Sequence, residues 1–506
     1  MNSPARINAS PRDWAGLAVL VLPALLASMD LSVLFMASPS ISADLNPTAG
    51  QLLWIMDIYG FMMAGLLTTM GNLGDRIGRR RLLIIGASAF GAASILSAFA
   101  SSAEMLIAAR ALLGLGGATL APSTLSLIRG IFLDETQRRL AIGVWTSAFI
   151  GGVSIGPIIG GLLLEHFWWG SVFLVNVPVM VLLLIVAPLL IRESRDPEPG
   201  RFDLLGAALT PSWILPIVYG VKKMAEGGVD WIALVPIMVG AAFFALFVAR
   251  QLTADSPMID LRLLRRPAFA GSILSNAVVV FAAAGTGLLT ASYTQTVLGY
   301  TPLTAALWML PTVAGSFIGA ACASMLARTT PPGILVALGL LIAAAGFAGI
   351  SFVTPSSHIG TLVAGYSALT LGVGLTATLA TTLVLATAPP EKAGAASALA
   401  ETSSEFGGAL GIAVLGAVTA TIYGAAMHAY PTSAENSVES IGAAVAVARS
   451  LPDAVSAQFL QQAFAAYTDG FIVAARLGAA VLAIAALAIG LCLRNVPIQQ
   501  IFEAHE

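Results

Sequence analysis

Five charged residues stand inside long apolar stretches of this chain: Asp30, Asp57, Arg110, Glu401 and Glu405. An ion in hydrocarbon is costly unless it is paired or hydrated, so each of the five carries a functional expectation. Asp30 lies deep in its apolar run, flanked by Ser28 and Ser32, and is expected to bind a cation or to exchange a proton. Asp57 sits nearer the end of its run, where it either does the same or caps the run at an interface. Glu401 and Glu405 are one helical turn apart and share a face. Two close carboxylates in a low-dielectric setting cannot easily both ionise, which is the property a proton carrier requires. Their alternative reading is a polar helix face at a cavity rim. Arg110 needs a carboxylate or a polar cavity as its partner. A cation held by such acids would gain from aromatic faces. The aromatic candidates are Trp54, Tyr59, Phe61, Trp145, Phe149, Phe281, Tyr293 and Trp308.

The elements that position these residues follow from composition. The 506 residues are 58% hydrophobic and only 10% charged, with a mean hydropathy of +0.89. Apolar runs of bilayer length recur throughout. A soluble enzyme, a nucleic-acid binder and a disulfide scaffold are excluded, and the formal charge of −2 adds no basic excess. Fourteen transmembrane helices are expected, giving an all-α polytopic membrane protein. The first, at 14–37, is read as a retained span rather than a signal peptide. Cys322 and Cys492 lie in separate apolar runs and read as small core residues.

Of the 24 lysines and arginines, 19 fall on one set of loops, including Arg76 to Arg81, Arg138, Arg139, Arg265 and Arg266. That face is expected to be cytoplasmic, with both termini on it. The longest opposite-side loop, 424–470, shows helix-like spacing at 438–448 and 452–466, which suggests an amphipathic hairpin on the outer surface. The GNLGDR of 71–76 is weakly echoed by the run from Gly319 to Arg328. Two six-helix bundles, 1–200 and 251–506, with two additional helices in 201–250, would account for both the echo and the count.

Three motifs carry mechanism. Gly71, Gly74, Asp75, Arg76, Gly78, Arg79 and Arg80 join the second and third spans. The glycines permit a tight turn, Asp75 can pair with an arginine or face a helix N-terminus, and the arginines can anchor to lipid headgroups. In the fourth span Arg110 precedes Gly114, Gly116 and Gly117. In the fifth, Gly152, Gly156 and Gly160 recur every fourth residue beside Pro157 and Gly161, a smooth stripe with a kink. No phosphate-binding loop is present, and the four histidines are scattered, so neither ATP-driven chemistry nor an enzyme is expected.

Together these motifs resemble those of the major facilitator superfamily. The buried-arginine and glycine–proline motifs resemble the drug:proton antiporters with fourteen spans, of the QacA/SmvA-like multidrug exporter type. Further likeness lies in LWIMDIY at 53–59, LLEHFWWG at 163–170, SPMIDLR at 256–262, PEKAGAAS at 390–397 and ESIG at 439–442. The resemblance implies the major facilitator fold, with two pseudo-symmetric bundles plus two inserted helices, in the inner membrane of a bacterium. It implies proton-driven export of lipophilic cations such as quaternary ammonium compounds, biguanides and dyes, with no cofactor beyond the proton and with a monomeric chain. Some relatives carry an acid in the tenth span; here 303–327 has none, which puts divalent substrates in question. A dedicated exporter of one antibiotic is the nearest alternative, and a non-transporting receptor or scaffold a remote one.

Overall fold

The computed structural model describes residues 9–195, 203–227, 230–253, 261–388, 393–428, 440–494 and 496. The segments 256–260, 390–392 and 429–439, and with them part of the motifs above, lie outside the described residues.

Among the described residues every regular element is helical. In chain order the helices are α1 (Pro11–Leu45), α2 (Ala49–Ile77), α3 (Arg79–Ala98), α4 (Ala103–Ile131), α5 (Glu135–His166), α6 (Ser171–Leu174), α7 (Asn176–Leu190), α8 (Leu204–Gly227) and α9 (Trp231–Thr253). They continue as α10 (Pro267–Ser292), α11 (Pro302–Trp308), α12 (Leu310–Leu326), α13 (Pro332–Ile350), α14 (Ile359–Thr387), α15 (Ala393–His428), α16 (Ile441–Ala448) and α17 (Asp453–Leu493). Thirteen helical stretches among the described residues are long and apolar enough to cross a membrane. The fourteenth expected span, 203–221, corresponds to α8, a helix of 24 residues that stands outside that set.

The ends of these helices are written locally. Ser10 accepts from the Asp13 main-chain N–H while the Asp13 carboxylate accepts from the Ser10 N–H, a reciprocal cap on α1. Thr48 and Gln51 repeat the device at α2. Asn46 closes α1 in the left-handed region at φ 44°, next to Pro47. Because capped helices continue past the apolar run into polar surroundings, most run several residues beyond the expected limits.

Two expected spans are interrupted. The path Ser171–Leu190 breaks at Val175, and Pro302–Leu326 breaks at Met309, two residues before Pro311. The hairpin expectation needs a larger correction. Its first arm is the eight-residue α16, but its second arm is not a separate surface helix. Residues 452–466 run directly into the last span as α17, one helix of 41 residues. At 1.5 Å per residue that is about 62 Å, roughly twice a hydrocarbon core, so one end stands well clear of it. Gly470 stands between Ala466 and the span, but it stays helical, packed close to the Thr419 carbonyl of α15, and no proline intervenes, so nothing obliges the helix to stop.

The buried side chains form two main cores. One is built from α1 to α7, joined by a few residues of α10, α11 and α15 where the groups meet; the other is built from α10 and α12 to α17. Helices α8 and α9 pair with each other. A β-carbon at Gly220 would lie 2.5 Å from the Ala233 carbonyl, and Asp203 accepts from Arg250 at 3.1 Å across the pair. α8 then leans on both groups, through Pro211 against Gly65 of α2 and Trp213 against Phe406 of α15.

Candidate functional site

Asp30 and Arg110 form a buried ion pair between α1 and α4, with side chains 2% and 0% exposed. The guanidinium also donates through Nε to the Ile55 carbonyl at 3.1 Å, and the Tyr59 ring lies 5.0 Å from its centre. Three helices therefore converge on one neutralised charge. Gly114 and Gly117 make the approach possible: a β-carbon at either would strike Tyr59, at 2.7 Å to its carbonyl or 3.0 Å to its hydroxyl. The motif containing Arg110 is thus a helix contact and an ion-pair site at once.

The glycine stripe of α5 faces the same part of α1. β-carbons at Gly152 and Gly156 would collide with the Ser28 and Ser32 hydroxyls, and one at Gly160 would meet Val33 at 3.1 Å. Those two serines flank Asp30, and each donates to a carbonyl three residues back in its own helix. Gly161, at the end of the stripe, abuts Leu303 of α11 in the second group. α5 runs unbroken through Pro157.

Glu401 and Glu405 sit half-buried on α15. Among the described residues neither has a cationic partner, in contrast to Asp30. A carboxylate oxygen of Glu405 lies 3.9 Å from where a β-carbon of Gly60 would stand on α2, so the acid reaches the seam between the groups. Asp57 is buried on α2, one turn before Phe61. An arrangement with one compensated and two uncompensated acids can take up a proton or an organic cation at the latter. It offers no group of three or more metal-ligating residues among those described.

The aromatic candidates divide. Trp54, Tyr59 and Phe61 lie on α2 near the acids; Phe61 makes an edge contact with Phe406 at 6.4 Å. Trp145 donates to the Thr124 hydroxyl at 3.1 Å and stacks on Phe149 at 6.0 Å, a separate pair on α5. The remaining three are not brought to the acids. Phe281 and Tyr293 are buried in the second core, where the Tyr293 hydroxyl is spent on the Thr354 carbonyl at 2.6 Å. Trp308 is 41% exposed at the α11 break, edge-on to His358. These three stand on or beside α10 and α11, which carry no acid of their own, so helix packing and rotation decide whether a ring reaches one.

The turn between α2 and α3 holds an additional acid that sequence reasoning missed. Asp75 pairs with Arg79 on its own side of the molecule. Glu193, after α7, accepts from the main-chain N–H groups of Arg80 at 2.9 Å and Arg81 at 3.2 Å, capping α3. Arg80 donates back to the Ile191 carbonyl at 3.0 Å. Gly78, at φ 107°, makes room: a β-carbon there would lie 2.5–2.8 Å from the Glu193 carboxyl. Gly71 approaches Pro122 of α4, and Gly74 accepts from the Gly78 N–H at 3.0 Å. Arg76 is half-buried in the same turn. The one sequence signal for Glu193 was its place in the strongly charged segment 192–201, where nothing distinguished it from Asp196 and Glu198.

A cleft between the groups lies towards the α16 end. It is lined by Leu52 and Leu53 of α2, Leu288 and Leu289 of α10, and Tyr423 of α15, with Ile441 of α16 over it.

The chain is 42% identical to the multidrug efflux pump LfrA of Mycolicibacterium smegmatis, over 97% of this chain and 99% of that protein. It is 35% identical to the methyl viologen resistance protein SmvA of Salmonella typhimurium, over 87% and 90%. In fold it is similar to a bacterial homologue of the human lysosomal transporter Spinster, with a TM-score of 0.69, 18% identity and coverage of 98% and 99%. The family model of the Major Facilitator Superfamily matches residues 20–412. With its apolar helices, its two helical cores and these relatives, the chain is a multi-pass membrane protein that belongs to the major facilitator superfamily, among multidrug efflux transporters.

Proposed function

We propose that this protein is a proton-coupled antiporter that exports lipophilic organic cations by alternating access. The observation that carries the reading is the contrast among its acids. Asp30 is neutralised by Arg110, whereas Glu401 and Glu405, one turn apart at the seam, have no cationic partner among the described residues. A carboxylate left without a counter-ion in a low-dielectric seam gains by taking a proton or an organic cation, and competition between the two is antiport. The resistance name of one relative, which cites methyl viologen, supports organic cations as substrates. The transmembrane potential can assist only if more protons than substrate charges move per cycle. Two titratable acids at one seam allow that.

The test is ethidium efflux from cells expressing the protein, with and without an uncoupler. Efflux that stops with the uncoupler and is lost in Glu405→Gln supports the reading. Efflux that persists in both refutes it.

A further inference from the structure

The inserted helix α8 reaches the acid-bearing seam. Trp213 of α8 lies 5.6 Å from Phe406, the residue after Glu405, and Phe406 lies 6.4 Å from Phe61, the residue after Gly60. Gly60 is the position beside which the Glu405 carboxylate rests. Three helices thus bring three rings together beside the residues that flank this carboxylate: Phe61 from α2, Trp213 from α8 and Phe406 from α15, with Phe244 of α9 edge-on to Trp213 at 4.9 Å. Two features separate this layer from ordinary core packing. Trp213 and Phe406 are only half-buried, while the aliphatic residues beside them, Ile214 and Val218, are fully buried. The Trp213 indole N–H is also shut away from solvent with no acceptor among the described residues. A buried indole N–H usually finds an acceptor, and leaving one unmade costs free energy.

We propose that Trp213 is a specificity-determining residue of the Glu405 site, and that with Phe406 it receives the flat aromatic body of a lipophilic cation whose charge is taken by Glu405. The inserted pair is then part of the substrate site and not only a connection between two bundles. Ring faces attract cations and pack flat hydrocarbon, whereas an aliphatic cation of equal charge gains little from an indole beyond contact area. The layer therefore discriminates by shape of the cation's body rather than by its charge. The inference rests on the cation-export reading above.

The test is equilibrium binding of two permanent cations, tetraphenylphosphonium and tetrabutylammonium, to the purified full-length protein in lipid nanodiscs. Trp213→Leu is expected to weaken tetraphenylphosphonium by roughly threefold to thirtyfold and to leave tetrabutylammonium within about twofold. Trp213→Phe is expected to keep most of the aromatic preference. Trp231→Leu, on the exposed side of α9, serves as the control and should change neither. Should Trp213→Leu not fold, Phe406→Leu reads the same preference from the other side of the layer. Equal loss of both cations, or no loss of either, overturns the role of Trp213 and leaves the export reading intact. A wild-type protein that binds neither cation overturns the export reading and this inference with it.

Discussion

Removing one partner of the Asp30–Arg110 pair should destabilise the protein far more than removing both. The pair is almost wholly excluded from solvent, at 2% and 0% side-chain exposure, and the guanidinium also meets the Ile55 carbonyl and the Tyr59 and Phe173 rings. Arg110→Leu leaves the Asp30 carboxylate buried without a counter-ion. Breaking a buried pair this way costs about 3–5 kcal/mol, chiefly as desolvation of the stranded charge. Unfolding of a chain of 506 residues carries an entropy of about 1 kcal/mol per kelvin on globular averages. The single substitution should therefore lower the unfolding temperature by roughly 3–5 °C at a fixed heating rate. Asp30→Asn should do nearly the same by stranding the arginine. Combining Asp30→Asn with Arg110→Leu removes both charges and should recover most of the loss, so the coupling energy from the four-protein cycle is large. Intrinsic tryptophan fluorescence during heating in nanodiscs reads all four proteins. Single substitutions that each cost under about 1 kcal/mol, or a double substitution as damaged as the two losses summed, would refute the claim that the ions form one energetic unit. The same proteins separate stability from export: a double variant that is stable yet does not pump assigns the pair a role in the cycle.

At the seam, Glu405→Gln should reduce dye-induced proton release from purified protein more than Glu401→Gln, because Glu405 is the acid resting against α2; equal effects would make the two interchangeable. On α5 the neighbouring glycines should part company. Gly151→Ala meets nothing within 4 Å and should stabilise by about 0.5–1 kcal/mol, while Gly152→Ala, pressed on the Leu25 carbonyl and the Ser28 hydroxyl, should destabilise and slow efflux; matching behaviour in thermal unfolding would contradict the packing. Gly78→Ala should cost about 1–3 kcal/mol from the φ of 107° and the Glu193 carboxyl above it. Relief of that cost by Glu193→Ala should be partial, since the backbone strain stays, and full relief would show that the clash alone mattered. Glu193→Ala by itself removes the cap on α3 and should cost about 1–2 kcal/mol, visible as faster hydrogen exchange at Arg80 and Arg81.

Much of this protein was legible in the sequence because the bilayer is a demanding solvent. Every backbone polar group in hydrocarbon must be satisfied within its own helix, so long apolar runs can only be helices, and their number and rough limits follow from hydropathy. Charges in such runs are expensive enough to mark themselves: Asp30, Arg110, Glu401 and Glu405 stood out before any fold was known. The glycine spacing of 152, 156 and 160 likewise announced a close contact, though not with which helix.

What hydropathy could not supply was rotation and partnership. Nothing in the spacing says that Arg110 meets Asp30, 80 residues away, while Glu405 is left against Gly60; that depends on which faces of α1, α2, α4 and α15 turn inward together. Hydropathy could not separate Tyr59, under the guanidinium, from Tyr293, locked on a loop carbonyl. It also could not show that 452–466 has no end of its own, or that α8 brings Trp213 to the seam. Lipid rewards apolar surface equally on every outward face, so the choice among faces is made by packing, hydrogen bonds and ion pairs between helices distant in sequence.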